Sequence, residues 1–320
     1  MKKERTNKYI TALVFTMTVF SFNIHAEVTE KSISLLSQQI VDHLSRDHDE
    51  FVLSEVIGSD IDKNEYLPID LQIRPHSLIF ENLSATERKQ IKLLISQVLS
   101  PKGYLKLLTN LSIDNDLSKQ SDRSTKHAIK FYGKPSTGSW GFKFEGYHLS
   151  LTFLLENHEF KFINFFIGQD IKMLNKTEFL PSALYNQEAQ MGSDLMNGLS
   201  ARQLGKTYLS MNAPNDIITN PKQSYRIQEK WGLPSKSLSK KQMPSFEYWV
   251  MQYLDLFNIQ LIKRFIDEVK EHKFEELYFV WSGHLDISNK NFYYLIYNDR
   301  IIIEHSVRDN HIHSITRITF

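Results

Sequence analysis

The chain has 320 residues, no cysteine, 12% aromatic residues and a formal charge of +1. Without cysteine it must hold itself together by core burial rather than disulfides, and it offers neither a thiolate metal ligand nor a cysteine nucleophile. The near-neutral charge argues against a nucleic-acid partner, and the wealth of Phe and Tyr fits a folded protein rather than a disordered one.

Residues 1–26 read as a secretory signal. Lys2, Lys3, Arg5 and Lys8 precede a mostly apolar run over 9–22, and Ile24-His25-Ala26 puts a small residue before a cut. The run falls short of the roughly 20 residues that a spanning helix needs. Cleavage removes four basic and one acidic side chain, which takes the formal charge from +1 to −2. The expectation is an extracytoplasmic protein, periplasmic or secreted, with no integral membrane segment after cleavage. Residues 27–320 then form one α+β domain, helical over 27–112, β over 127–168, helical over 187–272 and β over 275–318.

Apolar residues at helical spacing (Ile33, Leu35, Leu36, Ile40, Val41, Leu44) open the mature chain. Residues 46–82 read as loop with short elements. Ser84-Ala85-Thr86-Glu87 is a capping-box pattern, and the helix it starts runs to Leu99, with Pro101 and Gly103 expected to end it. A second helix is expected over about 104–111. Residues 127–133, 139–145, 147–155 and 159–167 are aromatic and β-rich, separated by turn residues, and predict an antiparallel meander. Residues 187–210 return to helix, 211–243 read as a surface excursion, and 245–272 as one long amphipathic helix. The last block, 275–281, 291–297, 300–306 and 311–318, is strand-like, with Asn298-Asp299 marking a tight hairpin. Helices, strands, helices, strands in that order predict an α+β fold with an antiparallel sheet built from the two β blocks.

Asn310-His311-Ile312-His313-Ser314 carries a His-x-His. On a strand His311 and His313 share a face, so their imidazoles can hold one metal ion. In a chain with twelve histidines, two surface histidines met by chance are the competing reading. Glu304 follows three isoleucines and reads as a partly buried carboxylate that needs a cation, a metal or hydrogen-bond donors; Arg317 or a metal can serve. In the strand 147–155, His148, Ser150, Thr152 and Leu154 fall on one face and Tyr147, Leu149, Leu151, Phe153 and Leu155 on the other. That polar stripe is either a solvated face or a functional one walled by Trp140 and Tyr147. With nitrogen and oxygen ligands alone, the candidate cofactor is one transition metal ion: Zn, Fe, Mn or Cu. Gly133-Lys134-Pro135-Ser136-Thr137-Gly138 lacks the order of a phosphate loop and reads as a β-turn, so no nucleotide cofactor is expected. Asp47-His48-Asp49-Glu50 reads as a solvated charged cluster.

Several segments in fixed order resemble the family catalogued as domain of unknown function 3500. They are Phe131-Tyr132-Gly133-Lys134-Pro135-Ser136, Trp140-Gly141, Glu145-Gly146-Tyr147-His148-Leu149-Ser150-Leu151, Tyr293-Tyr294, Ile303-Glu304, and Asn310 to Ser314 with Arg317. The resemblance implies that His148, Glu304, His311 and His313 are motif positions. Tyr147 departs from it, standing where the family usually has the first of two histidines.

The expected site therefore has His311, His313 and Glu304 as metal ligands and His148 as a third imidazole or proton-transfer group. Tyr147, Ser150, Trp140 and Arg317 surround it or touch a substrate. The function this suggests is a metal-dependent hydrolase or oxidoreductase. The alternatives are a non-enzymatic protein that binds an unidentified small molecule or protein, and a metal-free hydrolase with His148 as general base.

Overall fold

The computed structural model describes residues 28–56, 60–63, 66–67, 75–119, 125–170, 182–219, 227, 229–272, 274–309 and 311–320. The expected signal at 1–26 lies outside the described residues. So do parts of the 46–82 and 211–243 stretches and Asn310 of the histidine motif.

The chain is α+β. Its helices among the described residues are α1 (Glu30–Asp47), α2 (Ala85–Val98), α3 (Pro101–Ser118), α4 (Ser182–Asn197), α5 (Ala201–Thr207), α6 (Met243–Leu254) and α7 (Ile259–Glu271). Its strands are β1 (Leu78–Ile79), β2 (His127–Lys134), β3 (Ser139–Gly146), β4 (Leu149–Glu156), β5 (Glu159–Asp170), β6 (Tyr208–Ser210), β7 (Leu233–Pro234), β8 (Tyr278–Gly283), β9 (Asn291–Tyr297), β10 (Ile301–Arg308) and β11 (His311–Thr319).

The eleven strands among the described residues form one sheet, in the order β1-β2-β3-β4-β5-β11-β10-β9-β8-β6, with β7 also on β8. Each β block is a four-stranded antiparallel meander, β2–β5 and β8–β11. The two meet through their last strands, where β5 and β11 pair antiparallel from His311 opposite Asp170 to Thr319 opposite Phe162. Among the described strands, only β6, against β8, pairs parallel.

Alternation along the strands divides the sheet into two faces. One carries Phe131, Trp140, Phe142, Phe144, Leu151, Phe165, Ile303 and Ile312 against the helices, in the main core. Each such side chain, fully buried, contributes about 1.5–3 kcal/mol. The other face is covered by loop segments: Ile61 lies by Tyr132, Leu154 and Phe162, and Tyr66 and Ile217 lie by Phe166 and Ile315. Ser150 and Thr152, on the polar stripe of β4, are therefore buried under loops and not solvated.

Helix boundaries differ from expectation in several places: the 187–210 helix is α4 and α5 with 208–210 as β6, and the 104–111 helix runs over Pro101–Ser118. Pro101 and Gly103 do not end α2; they open α3, whose N-cap Ser100 accepts from Gly103 N–H at 3.1 Å. Proline suits the first helical turn, where its missing N–H has no partner to lose. The expected 245–272 helix is two. Leu99 bridges Phe257 across the gap, and Asn258 caps α7. The stretch read as a surface excursion also contributes cover: Ile217 and Thr219 are buried on the sheet.

Candidate metal centre

The centre lies where the end of β5, the start of β11 and the β3–β4 turn meet. Tyr147 and His148 form that two-residue turn, and His148 is left-handed with φ 55°. Its backbone is tied on three sides. Its N–H donates to the Tyr66 carbonyl at 3.0 Å, and its carbonyl accepts from Gly168 N–H at 2.8 Å and from Asn110 Nδ2 at 2.9 Å. Asn110, on α3, is itself held by the side chain of Gln169.

His313 stands opposite Gly168 in the β5–β11 register. A Cβ at residue 168 would come within 2.7 Å of His313 Cδ2 and 3.1 Å of His148 Cδ2, so the glycine makes room for two imidazoles. His311 completes the group. His148 Nε2 and His311 Nε2 are 2.9 Å apart, as are His311 Nε2 and His313 Nε2. The three residues offer ligand atoms within 4.8 Å of one another.

The orientation of His313 is set from behind. Its Nδ1 lies 2.5 Å from Asp216 Oδ1, whose carboxylate also accepts from Ile217 N–H at 2.7 Å and from the Tyr66 hydroxyl at 3.2 Å. Burial alone would raise the Asp216 carboxyl. The hydrogen bond and charge of His313, with the Ile217 and Tyr66 bonds, hold it below the usual carboxylate range instead. An ionised Asp216 requires Nδ1 of His313 to carry the proton, which in a neutral ring leaves the Nε2 lone pair facing the other two histidines.

Protons alone serve this arrangement poorly. His311 Nε2 takes part in both 2.9 Å contacts, yet a ring nitrogen carries one hydrogen or one lone pair. With neutral rings, one N–H satisfies one contact and leaves the other unmade. A metal cation satisfies all three nitrogens at once. At metal–nitrogen bonds of about 2.0–2.1 Å, donors at a right angle sit about 2.9 Å apart and donors at the tetrahedral angle about 3.3 Å, so the spacing suits a site with near-right angles directly and a tetrahedral one once the rings part by a few tenths of an ångström.

The remaining expected residues sort by face. Tyr147 lies over His148, with ring centroids 4.0 Å apart. Ser150 is buried, and its hydroxyl donates to Glu145 Oε1 at 3.0 Å; no bond from it to His148 is among those of the described residues. The structure does not bring Glu304 into the histidine group. Its carboxylate accepts from Ile218 N–H at 2.7 Å, Thr219 N–H at 3.0 Å, the Thr219 hydroxyl and the Tyr293 hydroxyl at 2.6 Å. The donors that a buried carboxylate needs thus come from a loop and a neighbouring strand. Burial still pushes its pKa up, against those bonds. Trp140 does not wall the centre: it is core on the helix-covered face, donating to Ser34 Oγ at 2.8 Å. Arg317 lies on the face of His313 but four residues further along β11, about 13 Å away.

Residues 26–319 match the family described as Protein of unknown function (DUF3500). The chain belongs to that family. No curated protein and no solved structure matches it. This DUF3500 chain has a second ligand-rich group among its described residues: His43, Asp47 and Glu87. The charged cluster at 47–50 is therefore not simply solvated, since His48 Nε2 lies 2.6 Å from Glu87 Oε1. Glu87 is committed elsewhere as well, because its Oε2 accepts from Ser84 N–H at 2.7 Å in the capping box. No helix of the described residues is long and apolar enough to cross a membrane.

Asp216 is the residue that sequence reasoning missed. It sits alone in a polar stretch with no period to mark it, so nothing in the sequence ties it to a histidine 97 residues on.

Proposed function

We propose that this protein is an exported metalloprotein in which His148, His311 and His313 bind one transition-metal ion and use it to activate water for hydrolysis or, with a redox-active metal and dioxygen as the electron acceptor, to oxidise a substrate. The observation that carries the reading is the convergence of three imidazoles on one point, with Asp216 fixing the tautomer of one of them. Three nitrogen donors leave coordination positions for water and substrate, and a bound metal lowers the pKa of such a water or polarises a carbonyl. Zn, Fe(II), Mn and Cu(II) suit a site without sulfur. The charged and apolar runs over 2–22 support export.

The test is elemental analysis of the untagged mature protein beside a His311→Ala/His313→Ala variant. Near-stoichiometric metal that the variant loses supports the reading. A folded wild type that holds no metal and takes up none of Zn, Fe, Mn or Cu overturns it.

One observation favours a second reading. His148 and His313 are 4% and 8% exposed, which suits a closed structural centre in a protein that binds a partner or small molecule elsewhere. The cobalt-substituted protein separates the two. Added azide shifts the visible spectrum of an open centre and leaves that of a closed one unchanged.

A further inference from the structure

Arg317 is 5% exposed, and among the described residues its Nε and Nη2 have no hydrogen-bond partner. Those two nitrogens form the side-on edge of the guanidinium, whose parallel N–H bonds match the two oxygens of a carboxylate. A buried guanidinium with that edge unmet is costly, since the lost hydration is replaced by nothing.

The neighbouring charges are already engaged. Arg317 heads a row across the loop-covered face, opposite Asn164, which faces Thr152, then Lys143, then Lys130. Lys143 Nζ donates to the carbonyls of Asp60, at 2.6 Å, and Lys63, and lies 3.6 Å from Glu145 Oε1. Lys130 Nζ donates to Asp60 Oδ1 at 3.2 Å. Glu304 and Asp62 act on Arg317 through their charge, but the Glu304 oxygens are taken by the four donors named above. In the same row the Thr152 hydroxyl is fully buried and also has no partner among the described residues. The Phe162 ring lies 5.8 Å from the guanidinium carbon and gives the site an apolar side.

We propose that Arg317 and Thr152 form a buried oxyanion site that takes a small carboxylate side-on. The guanidinium supplies two donors in one plane and the hydroxyl a third. The fork itself pairs with two oxygens of either a carboxylate or a phosphate; the choice of a small carboxylate rests on the cover over the strand face, which leaves Arg317 5% exposed, and on the lower cost of burying a single negative charge. Ile315 and Phe166, opposite one another in the register, separate this site from the histidines, so it stands whether or not those bind a metal.

The experiment is calorimetric titration of the full mature protein with sodium acetate, with sodium chloride at matched ionic strength as control. Thermal midpoints are read alongside. Saturable binding of acetate that weakens about tenfold or more in Arg317→Lys, which keeps the charge and loses the fork, is the expected result. Thr152→Val should weaken it less and serves alone if the arginine variant does not fold. No saturable binding to wild type, equal binding to both variants, or the same response to chloride overturns the proposal. Binding of inorganic phosphate without acetate overturns the assignment to a carboxylate.

Discussion

His313 Nδ1 and Asp216 Oδ1 lie 2.5 Å apart, which joins the last strand to a loop 97 residues earlier. In the proposed centre the pair would act as outer-shell carboxylates do generally, holding the ring in one tautomer and orientation. Asp216→Asn keeps the shape and removes the charge. Metal affinity of the variant should fall by about 10–100-fold with the fold retained. A competitive chelator titration measures it, and unchanged affinity would show that the pair is structural only.

Gly168 is the second support. Its missing Cβ leaves the space that His148 and His313 fill from either side. Gly168→Ala must move one ring by several tenths of an ångström, at a stability cost of about 1–3 kcal/mol if the backbone gives instead. The expected outcome is a folded protein with weakened metal uptake. Chemical denaturation and elemental analysis read the two effects separately, and full metal loading in the variant would contradict the packing described.

Much of this was legible in the chain. The strands of both meanders show because aromatic and β-branched residues alternate between clear turns. His311 and His313 show because residues two apart on a strand share a face. His148 was visible as a polar residue at a strand end, though it lies in the turn before β4. The break between α6 and α7 was hidden because apolar spacing continues through Leu256 and Phe257, both core residues in the gap. Trp140 was misplaced because a face is assigned from parity only once the register is known. Glu304 misled for a different reason. A buried carboxylate demands donors, and the sequence cannot say that a distant loop at 218–219 supplies them through its backbone.

That account of Glu304 separates from a ligand role by experiment. Glu304→Gln keeps an acceptor for some of the four donors and should leave metal stoichiometry intact. Glu304→Ala abandons all of them in a buried place, at about 3 kcal/mol or more, and should lower the denaturation midpoint sharply. Loss of metal from the Gln variant with stability unchanged would instead return Glu304 to the centre.

His127 gives the fold a pH dependence of its own. It is buried between two carboxylates, with Nδ1 2.9 Å from Glu81 Oε1 and Nε2 3.1 Å from Asp114 Oδ2. Burial alone opposes its charge, yet the hydrogen bonds and charges of Asp114 and Glu81 lift its pKa from 6.5 to about 9. Burial lifts Asp114 to about 6, against the pull of His127. A raised pKa means that the folded chain holds protons the unfolded chain releases, so stability falls as pH rises. For His127 the contribution is complete below pH 6.5 and lost as pH passes through about 9. Asp114 adds a slope of the same sign between 3.8 and about 6. Urea denaturation at pH 7 and pH 10 should therefore show a larger loss of stability in wild type than in His127→Gln, whose side chain does not titrate. Equal losses in the two proteins would mean that His127 is not held charged in the fold.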